Sequence, residues 1–125
     1  MRSDVTLFDA VGGMAFFRSL VDRFYDGVAE DEVLRPLYPT DLEPPRRHLA
    51  LFLAQYWGGP PEYDERRGPP RLRMRHVTFA IGPVERDRWL LHMRAAIDAF
   101  RPAADVEAAL REYFDMAAEA MRNRD

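Results

Sequence analysis

Phe16, Phe17, Leu20, Val21, Phe24, Tyr25 and Val28 recur at steps of three and four, which places them on one face of a helix. This predicts a first long helix after the Gly12-Gly13 break, followed by a short helical turn around residues 32–37. Asp41 is suited to cap the next helix, which tolerates Pro44 and Pro45 in its first turn and carries an inward stripe of Leu49, Phe52, Leu53 and Tyr56. Gly58-Gly59-Pro60-Pro61 ends it. Residues 60–70 have too few apolar positions for a regular element and read as a long polar loop, after which Pro69-Pro70 starts a brief helix ending near His76. Gly82-Pro83 opens a helix with Trp89, Leu90, Met93, Ile97 and Phe100 as its stripe. Arg101-Pro102 closes it, because proline disfavours helix in the residue before it. A last helix carries Val106, Leu110, Tyr113, Phe114, Ala117 and Met121.

No stretch alternates apolar and polar residues long enough to demand a strand, and no internal repeat is present, so the expected class is all-α. With 125 residues, 47% of them hydrophobic, the chain fits one domain, residues 1–125, around a single core. Composition then removes chemistries. There is no cysteine, which excludes disulfides, thiolate catalysis and cysteine-ligated metal. All 18 basic residues are arginine, which excludes a Schiff-base lysine. Ser3 and Ser19 are the only serines, and neither stands in a nucleophile elbow. Redox or ligand chemistry therefore needs a borrowed cofactor.

A net charge of −3 argues against nucleic acid as a partner. The apolar run from Ala10 to Phe17 follows Asp4 and Asp9 rather than a basic segment, and no run approaches the roughly 18 residues of a membrane span. A soluble, cytoplasmic protein is expected, away from membranes.

Three histidines are present. His76 ends the arginine-rich stretch FLAQYWGGPPEYDERRGPPRLRMRH. A lone histidine in a helical protein is ordinarily a surface or satisfied core residue. A neutral imidazole is also a common axial ligand of haem iron, and nearby arginines suit the two propionates. His48 and His92 sit beside core-facing Leu49 and Met93, and half-exposed positions without a ligand role are expected for both.

The bland reading of His76 is displaced by an ordered set of motifs. Phe24-Tyr25, Asp31-Glu32-Val33-Leu34-Arg35, Leu37-Tyr38-Pro39, Gln55-Tyr56-Trp57-Gly58-Gly59-Pro60, Leu72-Arg73-Met74-Arg75-His76 and Glu85-Arg86-Asp87-Arg88-Trp89 run in order. Together, from about Phe8 to Met121, they resemble the group II truncated haemoglobins. The resemblance implies a two-over-two helical sandwich around haem b (iron protoporphyrin IX). It implies His76 as proximal iron ligand, its other ring nitrogen donating to a carbonyl. It also brings Tyr25, Tyr38, Leu49 and Trp89 around the gas ligand, with Trp89 and Tyr38 as direct donors and Tyr25 acting on the ligand or on Tyr38. The distal-helix position where many globins carry histidine aligns with Pro45, which brings no donor and opens a path past the helix.

Arg71, Arg73 and Arg75 diverge by about 200° at each step, so they cannot all reach one propionate. Arg75 is the first choice and Arg71 the second. His48 stands where relatives often have a basic residue, with Arg47 as a substitute for the upper propionate. Phe52, Tyr56, Met74, Val77, Phe79, Ile81, Met93 and Ile97 are the expected apolar walls of the haem slot.

Three functions follow. The first is reversible binding of dioxygen, carbon monoxide and nitric oxide. The second is an enzyme for nitric oxide dioxygenation or peroxide-driven oxidation, which needs an outside reductase because the chain has no flavin or nicotinamide motif. The third is a cofactor-free helical interaction module. The oligomeric state stays open, a homodimer included.

Overall fold

A computed structural model describes residues 5–125, which leaves Ser3 and Asp4 outside the described residues. All described regular structure is helical. The first helix, α1 (Leu7–Ala10), was not foreseen: four residues are too few to display a period. It is held from outside. The Thr6 hydroxyl accepts from the Asp9 amide at 3.1 Å, and the Phe8 amide donates to the Trp57 carbonyl at 3.0 Å.

The helix α2 (Met14–Ala29) buries Phe17, Leu20, Val21, Phe24, Tyr25 and Val28. Next comes a 3-10 turn, Arg35–Leu37, and then α3 (Glu43–Tyr56), whose first amide donates to the Asp41 carboxylate at 3.0 Å. The Asp41 expectation thus holds in function, although Leu42 occupies the cap position itself. Phe52 and Leu53 point inward, but Tyr56 is 51% exposed and Phe100 40%. Both lie in the last turn of a helix, where the apolar stripe runs out past its packing partner.

Gly58 does more than end α3. Its φ of +101° is unfavourable for any side chain, and an added Cβ would stand 2.6 Å from the Thr6 Cβ. The bare backbone lets the chain ahead of α1 lie against the end of α3. Gly58→Ala is expected to lower the unfolding free energy by about 1–3 kcal/mol, measured by urea denaturation.

The expected loop at 60–70 contains a helix, α4 (Glu62–Arg67). Periodicity missed it because one apolar residue, Tyr63, carries all its burial, edge-on to Phe52 with ring centroids 5.4 Å apart. Charge order favours the short helix instead. Glu62, Asp64 and Glu65 fill the first turn, and Arg66 and Arg67 the last, which complements the helix dipole.

After α4, α5 (Leu72–His76) begins at Arg71, a left-handed residue with φ 44°, rather than at Pro69-Pro70. The helix α6 (Pro83–Phe100) starts with the Glu85 carboxylate accepting from the Gly82 amide at 2.7 Å, and it stops at left-handed Arg101 before Pro102. Last is α7 (Ala104–Met121). α2 packs on α3 and on α6, and α6 packs on α7. Two helix pairs therefore make two layers, the two-over-two sandwich of the truncated globins. No helix among the described residues is long and apolar enough to cross a membrane.

Candidate functional site

A cavity of about 480 Å³ lies within the sandwich, in the range of small-molecule and cofactor sites. α2 supplies Tyr25, the turn after it Leu34, Leu37, Tyr38 and Pro39, and α3 Pro45, His48, Leu49, Phe52 and Leu53. α5 and its loop supply Leu72, Arg75, His76, Phe79 and Ile81, α6 supplies Trp89, and α7 supplies Tyr113, Phe114 and Met121. Most of this wall is hydrocarbon or aromatic.

On the α5 side, His76 Nδ1 stands 2.6 Å from the Leu72 carbonyl. A carbonyl only accepts, so Nδ1 carries a proton, and in the neutral ring this leaves the lone pair on Nε2. A single helical turn creates this arrangement, since Leu72 is four residues before His76.

Tyr25, Tyr38 and Trp89 meet in another part of the wall. The Tyr25 and Tyr38 rings are edge-on at 5.5 Å, and Trp89 packs on Phe24 at 5.0 Å. Burial pushes the Tyr38 hydroxyl up to about 12, with the polar groups of Trp89 and Tyr25 beside it acting in the opposite direction. Burial, then Tyr38 itself, pushes Tyr25 still higher. Tyr25, Tyr38 and Trp89 thus bring two hydroxyls and an indole N–H to one stretch of the cavity wall.

At the mouth, Arg67 Nη1 donates towards His48 Nε2 at 3.4 Å. Desolvation lowers the His48 pKa first, and Arg67, Arg47 and Arg75 lower it further by like-charge repulsion. A cluster of this kind favours an anion. Arg75 also braces the preceding loop, its Nε donating to the Pro70 carbonyl at 2.7 Å and its Nη2 to that of Arg67 at 2.8 Å.

Several expected residues lie elsewhere. Met74 and Val77 are more than 60% exposed and face a separate groove beside α7, because successive residues of a five-residue helix cannot all face inward with His76. Met93 and Ile97 are fully buried in the core rather than in the cavity wall, and Tyr56 points outward. Arg71 and Arg47 are exposed and do not line the cavity, whereas Arg67, unranked within the arginine run, does.

The α7 wall was also unassigned. Tyr113, Phe114 and Met121 share one helical stripe in the sequence, and only packing against α6 shows that this stripe faces the cavity. His92 does not line the cavity, and its Nε2 stands 2.6 Å from the Asp31 carboxylate.

Haem asks for an apolar slot, one free axial nitrogen and cationic partners for its propionates. His76 Nε2, the aromatic and aliphatic walls and the Arg67–His48–Arg75 mouth meet each requirement. Known proteins agree. The bacterial-like globin family pattern matches residues 6–123. A group 2 truncated hemoglobin of Bacillus subtilis is 38% identical over 112 residues, covering 90% of this chain and 85% of that protein. The crystal structure of a hemoglobin from Chloroflexus aurantiacus superposes with a TM-score of 0.95 at 51% identity, covering 97% of this chain and 100% of that one. A thermostable hemoglobin from Thermobifida fusca gives 0.93 at 57% identity, covering 95% and 98%. The chain belongs to the bacterial-like globin family, among its group II truncated haemoglobins, a family whose work is haem-based gas binding.

Proposed function

We propose that the protein binds dioxygen reversibly, and carbon monoxide and nitric oxide as well, on haem b held by His76. The observation that carries this reading is the convergence of three donors, Tyr25, Tyr38 and Trp89, on the cavity that His76 also lines. Haem, when bound, would supply the iron that takes the gas ligand, and a ligand gathering negative charge there would favour hydrogen-bond donors beside it. The chain's part is to hold the cofactor through His76, to meet the propionates with Arg67, Arg75 and His48, and to exclude water with Phe52, Leu53, Phe79 and Phe114. Tyr38 and Trp89 would turn their donors to a charged ligand, and the Tyr25 ring, edge-on to Tyr38, would keep Tyr38 in place.

A hydrogen bond to a charged partner contributes about 1.5–3 kcal/mol, and each 1.4 kcal/mol is tenfold. Dioxygen release from Tyr38→Phe is therefore expected to be about ten- to a hundredfold faster, with Trp89→Phe in the same direction and carbon monoxide release little changed. Stopped-flow displacement on the haem-reconstituted protein measures both rates. Absence of a stable ferrous dioxygen spectrum in the wild type would sink the whole reading.

Slow release makes a poor carrier, so ligand-linked redox chemistry or sensing suits this cage better than transport. The same donors can polarise a bound peroxide, which supports nitric oxide dioxygenation or peroxide-driven oxidation as a second reading. Its partner is an external reductase, and multiple turnover with a reductant distinguishes it from simple binding.

A further inference from the structure

The segment after His76 has little structure of its own. It turns through Phe79, whose amide donates to the His76 carbonyl at 3.0 Å, and passes Ile81 before α6 begins. Its anchor comes from the far end of the chain. Asn123, just past α7, donates from Nδ2 to the Phe79 carbonyl at 2.8 Å and to the His76 carbonyl at 3.3 Å, while its Oδ1 accepts from the Ile81 amide at 2.9 Å. The Ile81 carbonyl in turn accepts from the amides of Asn123 at 2.8 Å and Arg124 at 3.0 Å.

We infer that Asn123 is a positioning residue for His76: its carboxamide fixes the backbone of the segment that carries the proximal histidine and so sets how that ring meets the iron. The inference rests on His76 being the proximal ligand. Both functions of the amide are used at once, so neither a hydrophobic residue nor a carboxylate replaces it. The Leu72 carbonyl sets the rotation of the ring from the N-terminal side of α5, and Asn123 holds its C-terminal side. Asn123 is exposed and outside the core, so its loss leaves the sandwich packing intact.

The test compares wild type with Asn123→Ala and Asn123→Asp. In the haem-free protein, amide hydrogen exchange at Ile81 is expected to accelerate in Asn123→Ala but to stay slow in Asn123→Asp, which keeps the acceptor. In the ferrous haem protein, both variants are expected to shift the iron–histidine stretching band and to lose haem to an apoglobin acceptor about tenfold faster, within the range seen when partners behind a metal ligand are removed. Melting temperatures of the haem-free forms are expected to match. An unmoved band in both variants, or haem loss that only tracks a fall in melting temperature, overturns the inference. A wild type that takes up no haem defeats the proposed function instead, and the Ile81 exchange still reports whether Asn123 clamps the segment.

Discussion

His76→Ala is expected to lose proximal ligation, seen as collapse of the five-coordinate ferrous spectrum, together with a drop in haem affinity greater than about 100-fold. Removing a group behind a metal ligand costs about 10–100-fold, and here the ligand itself goes. No other histidine can take over. His48 lines the same cavity, but its Nε2 is turned towards Arg67. His92 lies outside the cavity wall and commits its Nε2 to Asp31 at 2.6 Å. Free imidazole is small enough to enter the space that the side chain leaves, so millimolar imidazole is expected to restore the spectrum of His76→Ala. Retention of the wild-type ferrous spectrum without imidazole would exclude His76 as the ligand.

How much of this was legible beforehand depends on what kind of information each feature carries. The long helices could be read because burial repeats along them: six of the seven stripe residues of α2 are buried. α1 and α4 could not, since each is held by a few tertiary contacts, the Phe8 amide on Trp57 in one case and Tyr63 on Phe52 in the other. The site divides in the same way. His76, Tyr25, Tyr38 and Trp89 were named through motif resemblance, and the fold brings all four to one cavity. The apolar wall was harder, because a core residue and a pocket residue look identical in sequence. Met93 and Phe114 are both buried on helical stripes, yet only Phe114 faces the cavity.

Polar contacts across long separations were the least legible of all. Asn123 has no apolar period or family motif to mark it, and the Asp31 partnership with α6 spans more than fifty residues of chain.

That partnership is where the chain is most vulnerable. Asp31 is 2% exposed, and its two carboxylate oxygens are fully engaged. Oδ1 accepts from the amides of Val33 at 2.8 Å and Leu34 at 3.2 Å. Oδ2 accepts from Arg88 Nε at 3.0 Å and His92 Nε2 at 2.6 Å, both on α6. The His92 ring lies so close to α2 that a Cβ on Gly27 would approach its Nδ1 to 2.3 Å. One carboxylate thus ties the end of α2, the turn leading to Tyr38 and the helix carrying Trp89.

Breaking a buried ion pair by removing one partner costs about 3–5 kcal/mol, because the other is left without compensation. Arg88 is partly exposed and can recover water, which places Asp31→Ala near the lower end of that range. Acid should act through the same group. Burial alone would raise the Asp31 pKa, but the bonds from His92, Arg88 and the two amides outweigh it and hold the carboxyl below the ordinary range. A depressed folded pKa means that the unfolded chain binds the proton first. The stabilisation is thus fully present above the unfolded carboxyl value, near 4, and is lost as pH falls below it towards the folded value. Urea denaturation at pH 7 and pH 3 is expected to show the wild type losing more stability than Asp31→Ala between the two pH values. Equal losses would mean that Asp31 is not the carboxylate through which acid loosens the joint between α2 and α6.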